Sequence, residues 1–195
     1  MAQIFGRRAN WIFPAVIAAG VLSGASVAVL VNWGPHWAFW TRRNVFIPQN
    51  VPFSHEHHVR EVGIDCRFCH SFVDKGAVAG LPSSETCMKC HRDLFKVAPM
   101  LAPVRESYAT GKPLTWNRVY RVPDFVYFNH SIHVQKGVAC ETCHGDVGGM
   151  PWMRKAHDTF MTWCLECHRN PGQYVGRENA RQTARELTDC VTCHR

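Results

Sequence analysis

All ten cysteines of this 195-residue chain lie in five copies of one pattern, in which two cysteines are separated by two residues and followed at once by histidine. Two thiols on one helical turn can reach the two vinyl groups of one porphyrin, and the adjacent histidine then lies beneath the iron as its proximal ligand. The pattern therefore predicts five covalently bound haem c groups. We number the motifs 1 to 5 in chain order. The predicted thioether cysteines are Cys66 and Cys69, Cys87 and Cys90, Cys140 and Cys143, Cys164 and Cys167, and Cys190 and Cys193.

The predicted proximal ligands are the histidines that close the motifs, which are His70, His91, His144, His168 and His194. Two other kinds of cysteine site fit the pattern less well. Structural zinc sites combine cysteine and histidine into tetrahedral sets of four, and five units of two cysteines and one histidine do not divide into such sets. A disulfide framework would not require histidine at the same place every time.

A stretch of sequence before motif 1 recurs before motif 3. Residues 53 to 58, FSHEHH, are followed by Gly63 and motif 1, and residues 128 to 133, FNHSIH, are followed by Gly137 and motif 3. The offset is 75 residues at the histidines and 74 at the cysteines, so the first copy is one residue longer than the second. Each copy is followed by a further motif, which predicts two dihaem modules, residues 53 to 92 and 128 to 169. The fifth motif, residues 190 to 194, ends the chain.

The duplicated histidines are candidates for the second axial position of four irons. Ser54 and Asn129 are good helix N-caps, and histidines three residues apart on the turn that follows project from one side of a helix. We therefore predict that His55, His58, His130 and His133 are distal iron ligands. His57 would point away from the ligands, as an ordinary polar residue.

His157, just before motif 4, is predicted to supply the fifth distal ligand. A methionine thioether is the alternative at that position, and it would raise the potential of its haem. Met100, Met150, Met153 and Met161 are all available in the sequence. Sequence reasoning leaves this choice open.

An uncharged run of 21 residues, Trp11 to Val31, is long enough to cross a hydrocarbon core of about 30 Å as a helix. We predict an N-terminal membrane anchor, residues 1 to 34, followed by a pentahaem domain, residues 35 to 195. The alternative is a cleaved signal peptide, but the run is longer than the usual apolar region of about 7 to 15 residues. Haem is attached to such motifs outside the cytoplasm in bacteria. The prediction is therefore a protein of the bacterial inner membrane with its haem domain on the periplasmic side.

The formal net charge of +7 and pI near 9.0 would ordinarily suggest an anionic partner. Five oxidised haems, each carrying about one net negative charge, would reduce it to about +2. Lysine and arginine are scattered along the chain, and no nucleic-acid motif is present, so we expect no nucleic-acid partner.

The expected fold is mainly α-helical with much irregular structure. It comprises one transmembrane helix and a domain in which porphyrins form much of the core. The segment from Lys96 to Tyr127, between the modules, is rich in proline and aromatic residues and is interpreted as a covering over haem faces or a docking surface. A short amphipathic helix, marked by Ala180, Ala184 and Leu187, is expected before motif 5.

The modules resemble class III multihaem cytochromes, in which FxHxxH precedes GxxCxxCH. The whole chain more closely resembles the pentahaem cytochrome c subunit of bacterial alternative complex III. The resemblance rests on the single anchor, the five motifs, and a segment from Gly111 to Val119 that leads to residues 123 to 133. It implies an electron-transfer role without catalytic residues in this chain. The implied partners are an iron-sulfur protein, polytopic quinol-binding subunits and a monohaem cytochrome, with electrons passing towards a cytochrome c or terminal oxidase.

Two other functions were weighed against this resemblance. Single-anchor, membrane-bound quinol dehydrogenases of the multihaem type have a similar anchor, but they typically carry four haems and lack the paired FxHxxH modules. A multihaem reductase would need an open iron position. With ten histidines assignable to five irons, we expect no open position in this chain.

Overall fold

The computed structural model describes residues 6–175 and 184–194, and regular structure in these residues is helical. An isolated antiparallel bridge joins Phe46 and Arg154, and no strand occurs in the described ranges. The predicted fold class, mainly α with one long apolar helix, is confirmed. The α-helices are α1 (Ala9–Trp33), α2 (Ala38–Thr41), α3 (Cys66–Cys69), α4 (Ser84–His91), α5 (Ala102–Thr110), α6 (His130–Gln135), α7 (Cys140–His144), α8 (Met161–Arg169), α9 (Gly172–Val175), α10 (Ala184–Leu187) and α11 (Cys190–Cys193).

Helix α1 contains the predicted span and extends it by two residues at each end. Its 25 residues would reach about 37 Å, and it is long and apolar enough to cross a membrane. Its few polar side chains bond within the helix: Ser23 Oγ donates to Gly20 O at 3.0 Å, and Ser26 Oγ donates to Leu22 O at 2.8 Å. Such internal pairing removes most of the cost of placing a hydroxyl in lipid. None of the side chains of α1 is buried by protein.

The chain divides into two compact units, one ending at Arg43 and one beginning at Asn44. The second unit has a small polypeptide core. Among the residues described, its buried apolar side chains are Ile47, Val51, Val73, Met88, Val104 and Met150. Val51, Met88 and Val104 form one cluster, which Leu114 and Trp116 partly cover. So small a core agrees with the expectation that another apolar group contributes much of the interior.

The two duplicated histidine segments fold differently. In the second copy, residues His130–Gln135 form the α-helix α6, whereas in the first copy residues Glu56–Glu61 form a π-helix. The first copy has one more residue between its last histidine and its motif, and the wider turn of a π-helix accommodates an extra residue. Both segments end at a glycine with positive φ, Gly63 at 80° and Gly137 at 83°, a conformation that glycine adopts without a steric penalty.

The segment between the modules contains a helix that the sequence did not reveal. After a 3-10 turn, Pro99–Leu101, helix α5 runs to Thr110 and packs against α4. Gly111 then ends α5 in the left-handed conformation, with φ 70°. Residues 111 to 123 have no regular structure. In the predicted amphipathic helix before motif 5, Ala184 and Leu187 lie in α10, whereas Ala180 lies outside the described residues.

Val104 offers a direct test of the small core. Its side chain is 1% exposed, so Val104→Ala should lower the free energy of unfolding by about 1 to 3 kcal/mol through lost contacts and a cavity. Val97 is 82% exposed, and Val97→Ala provides the matched control with little expected effect. Denaturant unfolding of the haem-loaded protein, followed by circular dichroism, measures both. Equal losses in the two variants would contradict this account of the core.

Candidate haem sites

Each CxxCH motif lies on or at the end of a short helix. Motifs 1 to 5 lie on α3, α4, α7, α8 and α11, respectively. Two of these helices are capped by aspartate, because Asp65 accepts from Arg67 N at 2.8 Å and Asp189 accepts from Val191 N at 3.2 Å. Residues three apart on a helix share one side, so each motif presents its two thiols together. This is the arrangement that two thioether bonds to one porphyrin require.

Three of the predicted distal histidines face a motif histidine across a short gap. Ring centres are 6.1 Å apart for His58 and His91, and 6.1 Å apart for His133 and His168. The third pair, His130 and His144, has ring centres 6.3 Å apart and nearly parallel planes. The structure therefore brings three of the predicted distal histidines next to motif histidines, those of motifs 2, 3 and 4.

The spacing of these pairs fits one metal ion between two imidazoles. Two metal–nitrogen bonds of about 2 Å, with about 1 Å from each nitrogen to its ring centre, place the ring centres roughly 6 Å apart. Direct stacking of two rings would allow a closer approach. For example, the Phe53 and His58 rings stack at 4.4 Å. The donor sets of motifs 2 to 4 therefore fit the axial positions of a haem iron.

Backbone carbonyl groups fix the tautomer of most of these imidazoles. On the distal side, His58 Nδ1 lies 2.8 Å from Ser54 O, and His133 Nδ1 lies 2.8 Å from Asn129 O. On the proximal side, His70 Nδ1 lies 2.7 Å from Gly80 O, and His168 Nδ1 lies 2.9 Å from Leu187 O. A carbonyl oxygen only accepts, so Nδ1 carries the proton and Nε2 keeps its lone pair. Such partners orient an imidazole for metal binding and raise its basicity.

At motif 1, His55 lies close to the motif histidine without a facing ring pair of the kind seen at the other three. Burial lowers the pKa of His55 to about 4, and the nearby positive charge of His70 acts in the same direction. Burial likewise lowers the pKa of His144 to about 4, with His130 as its nearest charged neighbour. Both rings are therefore neutral at physiological pH, which is the form that binds a metal. His55 Nδ1 is buried and has no hydrogen-bond partner in the described residues.

Motif 5 lies against the segment that leads into the second module. His194 Nδ1 lies 3.1 Å from Phe125 O, and Tyr127 N donates to Cys193 O at 2.8 Å. His157, predicted as the fifth distal ligand, stacks on the ring of Trp163 with centres 5.1 Å apart. Within the described part of the chain, His157 and His194 do not form a facing ring pair. The structure therefore does not bring these two predicted ligands together.

The thiols of different motifs also lie close to one another. Burial raises the pKa of Cys66, and its neighbour Cys140, which is within hydrogen-bonding reach, raises it further. Burial raises the pKa of Cys143 to about 11, and the thiols of Cys167 and Cys164 contribute. The motifs are therefore clustered rather than spread along an extended chain. A thiol of high pKa is mostly protonated at neutral pH, so it is a weak nucleophile before haem is attached.

Two comparisons relate this chain to known cytochromes. Residues 126–195 match the family described as cytochrome c7 and related cytochrome c. The chain is also 30% identical over 199 residues to the multiheme cytochrome c subunit of menaquinone reductase from Nitratidesulfovibrio vulgaris, strain Hildenborough. That alignment covers 91% of this chain and 90% of the relative. The chain belongs to the multihaem cytochrome c family. Membership of this family implies covalently bound haem c, and this cytochrome is an electron-transfer component.

Tyr120 is a residue of the haem-binding unit that sequence reasoning did not select. Its ring packs edge-on against His144, with centres 4.6 Å apart, and its hydroxyl accepts from Ala156 N at 2.8 Å. Tyr120 therefore ties motif 3 to the chain beside His157. The sequence placed it only in an aromatic segment between modules, and an aromatic residue in a long connection has no signature for such a contact.

Loss of the Tyr120 hydroxyl should affect motif 3 more than any other motif. In Tyr120→Phe the half-buried Ala156 N–H loses its acceptor, which should cost about 1 to 3 kcal/mol of unfolding free energy. The ring against His144 should also shift, and the electron paramagnetic resonance (EPR) signal of one ferric haem should move with it. Tyr127 is exposed, so Tyr127→Phe is the control. Changes spread over all haem signals would argue against a local role for Tyr120.

Proposed function

We propose that this cytochrome is the electron-transfer subunit of a membrane-bound, quinone-linked respiratory complex, with five haem c groups. The facing histidine pairs carry the proposal, because two imidazoles on one iron leave it no open position for a substrate. The similarity to a menaquinone reductase subunit supports the quinone link. Haem iron supplies one-electron chemistry by cycling between its ferric and ferrous states.

The residues of the chain hold and orient the haem groups. Proximal ligation is assigned to His70, His91, His144, His168 and His194, and thioether attachment to the ten motif cysteines. Distal ligation is assigned to His55, His58, His130 and His133. For the fifth distal ligand we retain His157, with a methionine as the alternative. Near-infrared magnetic circular dichroism separates these two, because sulfur and nitrogen ligation give different charge-transfer bands.

We further propose that α1 anchors the protein in the bacterial inner membrane, with the haem-binding unit on the periplasmic side. The length and apolar composition of α1 support the anchor, and covalent haem attachment supports the side. The proposed partners are an iron-sulfur protein, polytopic quinone-binding subunits and a monohaem cytochrome. These partners follow from the resemblance to alternative complex III.

The direction of electron flow separates two forms of this function. The resemblance to alternative complex III favours quinol oxidation towards a cytochrome c or oxidase, whereas the relative is named for menaquinone reduction. We propose quinol oxidation as the finer assignment. The purified complex should then reduce its haems when menaquinol is added. Reduction of menaquinone by the pre-reduced complex, without haem reduction by menaquinol, would assign the opposite direction.

Single histidine variants test the ligand assignment. His58→Ala should open the iron of motif 2, creating one high-spin haem while four stay low-spin, because the facing imidazole is lost. His57 is adjacent but exposed, and it pairs with Glu61, so His57→Ala is the matched control and should leave all haems low-spin. Magnetic circular dichroism measures the spin states, and the pyridine haemochrome assay should give five haems per chain. A high-spin haem in His57→Ala would mean that the histidines are paired wrongly.

A further inference from the structure

We propose that the five haem sites do not follow chain order but are arranged as motifs 2, 1, 3, 4 and 5, with the two modules joined through motifs 1 and 3. This arrangement rests on the proposed electron-transfer function and extends it by giving the route. Motif 2 and motif 5 are then the two ends. Four sets of contacts support the order.

The modules hold each other through reciprocal contacts. Helix α6 of the second module docks on the loop that follows motif 1: His130 Nδ1 lies 2.8 Å from Ala77 O, and Ser131 N donates to Gly76 O at 3.1 Å. In return, the π-helix of the first module docks on the loop that follows motif 3. There, Arg60 Nη2 lies 2.7 Å from Asp146 Oδ2. Each module therefore uses its histidine segment to contact the loop that follows the first motif of the other module. This reciprocal contact relates the two modules by an approximate two-fold axis.

The motifs nearest this approximate axis are motifs 1 and 3. Cys66 and Cys140 are equivalent residues of the two copies, and their thiols lie within hydrogen-bonding reach of each other. A contact between equivalent residues is what a two-fold relation places at its axis. Motif 1 of the first module therefore adjoins motif 3 of the second, although motif 2 lies between them in sequence.

Within each module, one helix serves two neighbouring motifs. In α6, His130 faces motif 3 and His133 faces motif 4. In the first module, His58 faces motif 2, and His55, three residues earlier, is the equivalent of His130. The two motifs of the first module also touch through Lys89 Nζ, which lies 5.5 Å from the centre of the Phe68 ring. These contacts place motif 2 beside motif 1, and motif 4 beside motif 3.

Motif 5 continues the row beyond motif 4. Helix α10 supplies Leu187 O to His168 of motif 4, and its Glu186 O accepts from Thr192 Oγ1 of motif 5 at 3.0 Å. At the opposite end, α4 of motif 2 packs against α5 and the Val104 cluster, so polypeptide covers it there. An electron would therefore pass singly from a ferrous to the adjacent ferric site along the row. Partners would exchange electrons at motif 2 and motif 5.

The ring planes make motif 2 spectroscopically recognisable. His58 and His91 are crossed at 65°, whereas the pairs at motifs 3 and 4 lie at 7° and 25°. Crossed imidazole planes give a ferric low-spin iron a larger maximal g value than parallel planes. The EPR signal of motif 2 can then report which neighbouring haem is paramagnetic, because magnetic coupling falls steeply with distance.

Replacing one distal histidine by methionine raises the potential of that site, so that it can be reduced alone. The intact complex is held at a potential that reduces only the altered site. In His55→Met the haem of motif 1 is then diamagnetic, and the EPR signal of motif 2 should change because motif 1 is its neighbour. His130→Met acts on motif 3 and should leave that signal unchanged, as should the control His133→Met. A motif 2 signal that changes in His130→Met, or does not change in His55→Met, would overturn the order.

Iron positions from cryo-electron microscopy of the unmodified complex provide a measurement that does not depend on the variants. The irons of motifs 1 and 3 should be nearest neighbours, and the iron of motif 2 should be farther from that of motif 3. Nearest-neighbour contact between motifs 2 and 3 would overturn the proposal. Fewer than five haems per chain, or no electron exchange with quinone, would instead refute the proposed function and leave the measured order of the remaining sites standing.

Discussion

The hydrogen bond between an imidazole Nδ1 and a backbone carbonyl is the interaction on which the haem-binding unit depends. It fixes the tautomer, aims Nε2 at a facing imidazole and places the two ring centres about 6 Å apart. The carbonyl often comes from a different element: Gly80 serves His70, Ala77 serves His130, and Leu187 serves His168. Ligand geometry and the docking of the helices are therefore the same set of contacts. Because few side chains are buried among the residues described, these hydrogen bonds contribute much to holding the short helices in place.

Sequence patterns were sufficient for the features that residue type determines. The five motifs, the apolar helix α1 and the duplicated histidines of motifs 2 to 4 all follow from spacing and composition. The N-caps were also recognisable, since Asn129 accepts from Ser131 N and Ser54 Oγ accepts from His57 N. Each of these features is local, or repeats a local pattern, so a reading along the chain can detect it.

Other features depend on contacts that carry no residue signature. Any residue can offer a carbonyl oxygen, so the partners of His130 and His168 could not be selected from sequence. Helix α5 was missed because Pro99, Pro103 and Pro113 together suggest an irregular segment. Pro99 and Pro113 lie outside the helix, and Pro103 lies in its first turn, where proline is tolerated. His157 was chosen for its place before motif 4, and its ring stacks on Trp163. Its role as the fifth distal ligand stays a prediction.

The π-helix shows how this architecture tolerates changes in length. An inserted residue in an α-helix would rotate every later side chain by about 100°, since the helix has 3.6 residues per turn. In the first module the widened turn absorbs the additional residue, and His58 still meets His91 as His133 meets His168. A module copied by gene duplication can therefore gain a residue between its distal histidines and its thiols while its imidazole still faces the motif histidine. The length of the chain between histidines and thiols can therefore change during evolution without changing the residues that would bind the metal.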